Sequence, residues 1–565
     1  MSGGLYILKI MGEYMKNKSL LVLLISLILF NSCSDKKEIQ KAVDSIRAED
    51  LKSNISVLAS DEFKGRAPGT DGEAKTIKYL EEQFKKIGVL PGNGKSYLQE
   101  ISIVKIGTDL QSVKAVVSDK GKNFPMTVPK DFVIGTTRFV ENSSLNNSGL
   151  IFAGYGIVAP EYNWNDYAGL DVKGKTVVVL VNDPGFATGD KNLFNGKSMT
   201  YYGRWTYKFE EAAKQGAAGI LIVHETEAAG YPWSVVENSW TGTRVYLDAP
   251  DKNFSNCVFN GWITTETAQK LFEMSGIDFN KTALSASQRG FKPVPLSSSI
   301  SVSFKSRLAY AKSNNVIGVL PGSELKDQYI IYTAHWDHFG VKPNVTQGDS
   351  ILNGALDNAT GVAGVLQLAK AFASLPKTQK RSVVFLAVTG EEAGLLGSDF
   401  YAKHPIFPLN KTAAVINMDA LNIFGRTKDI TLVGYKDSGL DDYAEKIVKE
   451  NGRYVAPEST PEKGTYFRSD HFSFAKAGVP VLYFAMGVDN AEHGKQWGLD
   501  QSAKWLKENY HKPSDEYNPA IWKFDGMVDD LKIIFETGYD LSNTDKFPNW
   551  FEGSKFKPAR DAMMK

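Results

Sequence analysis

From about residue 305 the chain alternates short, almost wholly apolar runs with longer amphipathic ones. Tyr329 to Ala334, Ser382 to Val388, Ala413 to Met418, Ile430 to Val433 and Val479 to Phe484 are too short for buried helices and lack an in-and-out alternation. Such runs predict strands buried on both faces. Between and after them, Gly361 to Leu375, Ser438 to Asn451 and Phe524 to Leu541 carry apolar residues at helical spacing. Continuous apolar strands alternating with helices predict an α/β fold with a mainly parallel, twisted sheet flanked by helices.

Elsewhere the pattern changes. Ile55 to Ala59 and Thr76 to Ile87 have helical periodicity, with Gly88 as a stop, and the loop Phe63 to Thr70 between them is rich in turn residues. From about 140 to 300 short strand-like runs such as Thr176 to Val181 are separated by Gly, Pro, Asn and Asp. One amphipathic helix, Tyr207 to Lys214, leads through Gly216-Ala217-Ala218-Gly219 into the strand Ile220 to Val223. The segments GYGIVAP (154–160), WNDYAGLDVKGK (164–175) and EEAAKQGAAGILIV (210–223) resemble the protease-associated domain, a small β-rich module. The expected organisation is a leader over 1–33, a tether and first part of the catalytic domain over 34–140, an inserted β-rich domain over 141–300, the second part of the catalytic domain over 301–545 and a wrapping tail over 546–565.

At 565 residues the chain is too long for one core, which agrees with that division. Sixty-five basic residues against 64 acidic ones remove any electrostatic reason to expect nucleic acid as a partner. Lys16 and Lys18 precede an apolar run from Leu20 to Phe30, followed by Asn31-Ser32-Cys33-Ser34. That run is shorter than the roughly 20 residues a membrane span needs, so it reads as an export signal, with Met15 the better start. The placing of Cys33 resembles the lipobox of bacterial lipoproteins, although Phe30 and Asn31 depart from its commonest residues. The resemblance implies acylation at Cys33 and a membrane-anchored protein of the cell envelope, periplasmic or on the surface. Cys257 is then the one cysteine left, so no disulfide is expected and Cys257 reads as a small buried residue.

The chemistry-bearing residues cluster where strands end and helices begin: Ala334-His335-Trp336-Asp337-His338, Gly354 to Gly361 around Asp357, Thr389-Gly390-Glu391-Glu392, Asn417-Met418-Asp419 and Tyr510-His511-Lys512-Pro513. In open α/β sheets the binding crevice lies at the carboxyl ends of the strands, so these clusters can converge. Imidazole and carboxylate together suit zinc, and two such ions can share a water and polarise one carbonyl. Three carboxylates and two neutral imidazoles around two Zn2+ leave one positive charge, which lowers the pKa of a shared water. His335 and Asp337 project the same way from a strand, so Asp337 can hold the environment of His335. Taken singly, a His-x-Asp or a Glu-Glu pair carries little; the inference rests on five clusters in order.

The set AHWDH, GALDNATG, TGEEAGLLGS, NMD, FRSDHFSFAKAGVP (467–480) and YHKP resembles the double-zinc aminopeptidase family of secreted exopeptidases over about 240 residues, and more weakly over the amino-terminal part. The resemblance implies that Asp357 bridges two zinc ions, with His335 and Asp419 completing one and Glu392 and His511 the other. It assigns Glu391 as general base and Asp337 as the orienting acid. Tyr510 matches a residue that steadies the oxyanion in some members, and Arg468 lies in a segment that lines the substrate pocket in some. Asn358 stands where the family often has Asp, a position that is not a ligand and follows a commonly cis bond.

The expected activity is removal of amino-terminal residues from a peptide substrate. A glutaminyl cyclase-like transferase would use one zinc, and a carboxypeptidase or dipeptidase of the same fold stays open. A non-catalytic binding protein is disfavoured because no ligand position is missing. His224, His404 and His493 read as surface or structural, and His471 as support for the helix after Ser469-Asp470. His338 is open between supporting the ligands and a purely structural place. Side-chain preference and oligomeric state are not encoded in any motif.

Overall fold

The computed structural model describes residues 39–342, 345 and 348–565; Cys33 and the leader lie outside the described residues. One large sheet runs through the molecule. Its catalytic half has the strand order Tyr454–Pro457, Asp429–Val433, Val481–Ala485, Thr412–Met418, Leu325–His335 and Arg381–Val388. The last three are mutually parallel, and Val481–Ala485 is parallel to Thr412–Met418. Every residue of Arg381–Val388 and of Thr412–Met418 is buried.

The sheet is covered on both faces, as its apolar runs require. Alternate side chains of one strand go to different cores. Ile330, Tyr332 and Ala334 join Val383, Phe385 and Ala387 beneath the helices Thr360–Ala373 and Asp525–Asn543. Ile331, Val384, Leu386 and Val388 face Tyr401, Phe474, Trp550 and Phe556 on the other side. The end of the chain is part of this second core: Trp550 is buried, and the buried Arg560 donates to the carbonyls of Leu409 and Thr412.

Two long strands carry the sheet across into the β-rich part. Val294–Leu320 pairs antiparallel with Leu98–Asp119 from Ser299 opposite Ser118 to Val316 opposite Leu98, with a register shift between Ser303 and Lys305. The same long strand pairs with Arg381–Val388 at one end and with Asn142–Phe152 at the other. Beyond it come Thr176–Leu180, Gly219–His224, Phe259–Thr264 and Phe132–Gly135, flanked by helices that include Trp205–Lys214 and Thr265–Met274. Ala115, Val117, Met126, Phe132 and Ile134 pack in this second region, so its core begins earlier than the expected residue 141. Cys257 is buried there with its thiol 3.2 Å from the Ala217 carbonyl. Among the described residues no helix is long and apolar enough to cross a membrane.

Candidate metal centre

Three adjacent parallel strands end at the same edge. His335 is the last residue of its strand, Asp419 directly follows Met418, and Glu391 and Glu392 follow Val388 by one short turn. Asp357 enters from the turn that precedes Thr360–Ala373, and its bond to Asn358 is cis. His511 arrives from a remote loop in a left-handed conformation, φ 56°, that few non-glycine residues adopt.

The ring nitrogen His335 Nε2 lies 3.3 Å from Asp357 Oδ1 and 3.4 Å from Asp419 Oδ1. On the opposite side of the same carboxylate, Asp357 Oδ2 is 3.3 Å from His511 Nε2, which is 3.2 Å from Glu392 Oε2. His335, Asp357 and Asp419 each offer a ligand atom within one 4.8 Å group, and so do His338, Asp357 and Glu392. His338 Nδ1 stands 2.5 Å from Glu392 Oε1. The structure therefore brings all five expected ligand residues together and adds His338 to the Glu392 side.

The surroundings hold these groups in place. His335 Nδ1 lies 3.1 Å from the Asp337 carbonyl oxygen, which selects the tautomer whose Nε2 is free to accept a metal. The Asp337 carboxylate accepts the Glu391 backbone N–H at 3.1 Å, so Asp337 orients the imidazole through its main chain and Glu391 through its side chain. Asp419 Oδ2 accepts from Ser469 Oγ at 2.7 Å, and Ser469 in turn accepts from Asn417 Nδ2. Asp515 accepts the backbone N–H groups of Leu356 and Asp357. Asn358 ties the Asp357 turn to the next strand by accepting from Ala420 N and donating to the Met418 carbonyl. Gly354 is required by its φ of 58°; a Cβ there would meet the Asp357 carbonyl and the His338 ring.

Arg66 bolts this edge to the amino-terminal segment. Its buried guanidinium donates to the carbonyls of Trp336, Leu58, Asn353 and Gly354 at 2.6–2.8 Å. Arg66, Asp470, Asp515 and Ser469 all escaped the sequence reasoning. Each is an ordinary polar residue outside the sheet, and only its place behind the site marks it.

The electrostatics are those of crowded acids. Burial pushes the Glu391 carboxyl well above its usual range; His335 opposes this, while Glu392 and Asp419 add to it. Burial also raises Asp337 and Asp470 to about 7. For His335 burial favours the neutral ring, but Glu391, Asp419 and Asp357 outweigh it and hold the proton far more tightly than usual. At His511 burial is again outweighed, by Glu392 and Asp357, and the ring is pushed up to about 10. Burial works against ionised Glu392, yet His511 and His338 bring it down to about 2.

Asp337 Oδ2 and His338 Nε2 find no hydrogen-bond partner, and the close approaches of His338 Nδ1 to Glu392 Oε1 and of His511 Nε2 to Asp357 and Glu392 lack hydrogen-bond geometry. Buried polar atoms are normally paired, and orphans of this donor type fit a divalent cation. The Tyr510 ring stacks on His511 at 3.6 Å between centroids, and the Arg468 guanidinium lies in the electrostatic field of the Tyr510 phenol. Of the other histidines, His224 is buried in the β-rich part with Nε2 3.0 Å from the Tyr231 carbonyl. His404 stacks on Phe400, and His493 on Trp497. His471 is wholly buried between the rings of Tyr466 and Tyr483.

Residues 315–533, which contain every one of these ligand candidates, match peptidase family M28. Aminopeptidase NAALADL1 of Rattus norvegicus is 26% identical over 255 residues, covering 40% of this chain and 31% of that protein. Aminopeptidase YwaD of Bacillus subtilis (strain 168) is 28% identical over 211 residues, covering 36% of this chain and 39% of that protein. The matched part of this chain thus spans about a third of the length of those curated relatives. Among solved structures, an aminopeptidase from Aneurinibacillus sp. strain AM-1 superposes with a TM-score of 0.51 at 19% identity, over 90% of this chain and 97% of that one. That likeness is one of fold, and it extends well beyond the M28 segment.

Proposed function

We propose that this protein is a zinc-dependent aminopeptidase whose site takes two ions. The observation that carries the reading is the Asp357 carboxylate, with one oxygen turned to His335 and the other to His511. A carboxylate placed between two donor sets is suited to bridging. His335 and Asp419 would complete one site, and Glu392 and His511 the other, with His338 beside Glu392. Zinc held there would act as a Lewis acid on the scissile carbonyl and make a shared water more acidic.

The remaining chemistry belongs to the protein. Glu391, anchored by its backbone N–H to Asp337 and 4.0 Å from His335 Nε2, accepts the proton of the attacking water. Its raised pKa brings it nearer to working pH, where a base can also return the proton to the leaving amine. The Tyr510 hydroxyl, on the ring stacked against His511, would donate to the oxyanion that develops on the carbonyl. The acidic surroundings attract a substrate's free amine. Acylation at Cys33 would hold the enzyme at the cell envelope, and labelling with radioactive palmitate, lost on Cys33→Ala, is the check.

A hydrolysis panel on purified protein tests the reading. Free-amine peptides should be cleaved, amino-blocked ones should not, and chelator should stop the reaction. Equal rates on blocked and free peptides would end the aminopeptidase assignment. Two zinc ions per chain by elemental analysis would separate it from a one-zinc transferase.

A further inference from the structure

The two histidines that face Asp357 are held in different ways. His335 is buried, and its Nδ1 is fixed by the Asp337 carbonyl at 3.1 Å. A ligand histidine is normally oriented by such a bond from its second nitrogen. Among the described residues no hydrogen bond fixes His511 Nδ1, and its side chain is 32% exposed against 1% for His335. His511 also has a φ of 56°, which a non-glycine residue keeps only where its surroundings enforce it. What surrounds the ring is aromatic. Tyr510 stacks on it at 3.6 Å between centroids, and the Phe339 ring meets it at 4.6 Å with the planes 62° apart.

Tyr510 rides on the same loop as His511, so it cannot fix that loop against the ion site. Phe339 can, because it comes from the other side of the centre. It precedes the hairpin of Gly340–Val341 with Ile351–Leu352, where Gly340 pairs with Leu352 and Lys342 N donates to the Ser350 carbonyl at 2.8 Å. The base of that hairpin is wedged against the amino-terminal segment. A Cβ on Gly65 would meet the carbonyl oxygens of Leu352 and Gly340, and one on Gly340 would meet Ala67. Arg66 donates to the carbonyls of Trp336, Asn353 and Gly354 on the two flanks. Phe339 itself is 44% exposed and joins none of the apolar cores of the described residues. Its aromatic contacts are His338 and His511, so it serves the site rather than the fold.

We propose that Phe339 is a positioning residue for His511, its ring taking the place of the hydrogen bond that the other histidine has. The proposal rests on the two-ion reading above and adds the group that aims His511 at its ion. The Phe339 ring limits the swing of the imidazole about its Cα–Cβ bond, so Nε2 stays 3.3 Å from Asp357 and 3.2 Å from Glu392. Two ligand atoms each about 2 Å from one tetrahedral zinc stand about 3.3 Å apart, so this is the spacing that the ion needs.

The test measures stepwise zinc affinities of the zinc-loaded full chain by competition with a chromophoric chelator, with thermal denaturation in excess chelator beside it. Phe339→Ala should weaken one of the two steps about tenfold, and leave the other step and the Tm in chelator unchanged. Phe339→Tyr should restore the weakened step. In a His511→Ala background Phe339→Ala should change nothing further, because its effect passes through His511. Wild-type affinities for both steps in Phe339→Ala, equal weakening of both with a lowered Tm, or the same loss with and without His511 would overturn the proposal. A wild type that holds one ion would end the two-ion reading by itself; Phe339 would then stand or fall on whether Phe339→Ala weakens that ion. A wild type that holds none would end both.

Discussion

Two clusters of buried charge are treated in opposite ways. In the β-rich part Asp166 accepts from the backbone of Tyr155 and Ile157 and from Trp164 Nε1. Asp183 accepts from Gly185, Phe186 and both donors of Thr200, and Lys208 donates to the Asn182 carbonyl. Burial pushes Asp166 up to about 7 and Lys208 down to about 7, but every one of these groups has a fixed partner. At the metal centre the carboxylates face imidazoles and one another without hydrogen-bond geometry, and Asp337 Oδ2 and His338 Nε2 keep no partner. Saturated buried charge stabilises a fold; unsaturated buried charge is kept for something that arrives from outside.

The largest effect should come from removing the shared group. Asp357→Ala should lose both ions and bring activity to background, as read by elemental analysis and hydrolysis of a free-amine peptide. Retention of two ions would break the contrast, since Asp357 would then be no bridge.

Glu391→Gln should come next, lowering kcat by about a thousandfold while the zinc content stays unchanged. A fall of less than about tenfold would move the base elsewhere. On the saturated side, Asp166→Ala should cost about 3 kcal/mol in urea denaturation, because two backbone donors and an indole lose their acceptor. Zinc content and kcat of the folded protein should not change, and a large loss of either would join the two regions.

The smallest effect is a pH dependence at His471, which has neither a charge partner nor a route to solvent. Burial lowers it to about 3 from an ordinary value of 6.5. Above pH 6.5 the ring is neutral folded or unfolded. As pH falls below 6.5 the unfolded chain takes up the proton and the folded one does not, so stability is lost down to about pH 3. The slope is about 1.4 kcal/mol per pH unit, or about 2 kcal/mol at pH 5. Urea midpoints at pH 5 and 7.5 should show this loss in the wild type and a smaller one in His471→Phe. Equal losses would mean that His471 is protonated in the fold.

Much of the catalytic half was legible from local pattern. Tyr329 to Ala334 and Ser382 to Val388 announced buried strands because both faces are apolar, and Leu325–His335 and Arg381–Val388 are those strands. The helix Gly494–Glu508 was not legible: of its residues only Gly498 is buried, so it carries no apolar stripe. The 27-residue strand Val294–Leu320 was missed for a related reason, since its middle is polar and half-exposed and its length is set by pairing with Leu98–Asp119.

The residue types of the metal centre, and their position at the ends of apolar runs, belonged to the sequence alone, because burial periodicity and chain breaks are local properties. Only the tertiary structure decided that Asp357 turns one oxygen to each histidine, that His338 reaches Glu392, and that Asp337 holds Glu391. Those are meetings between segments up to hundreds of residues apart. Their geometry depends on the path of the whole chain, which no window of sequence contains.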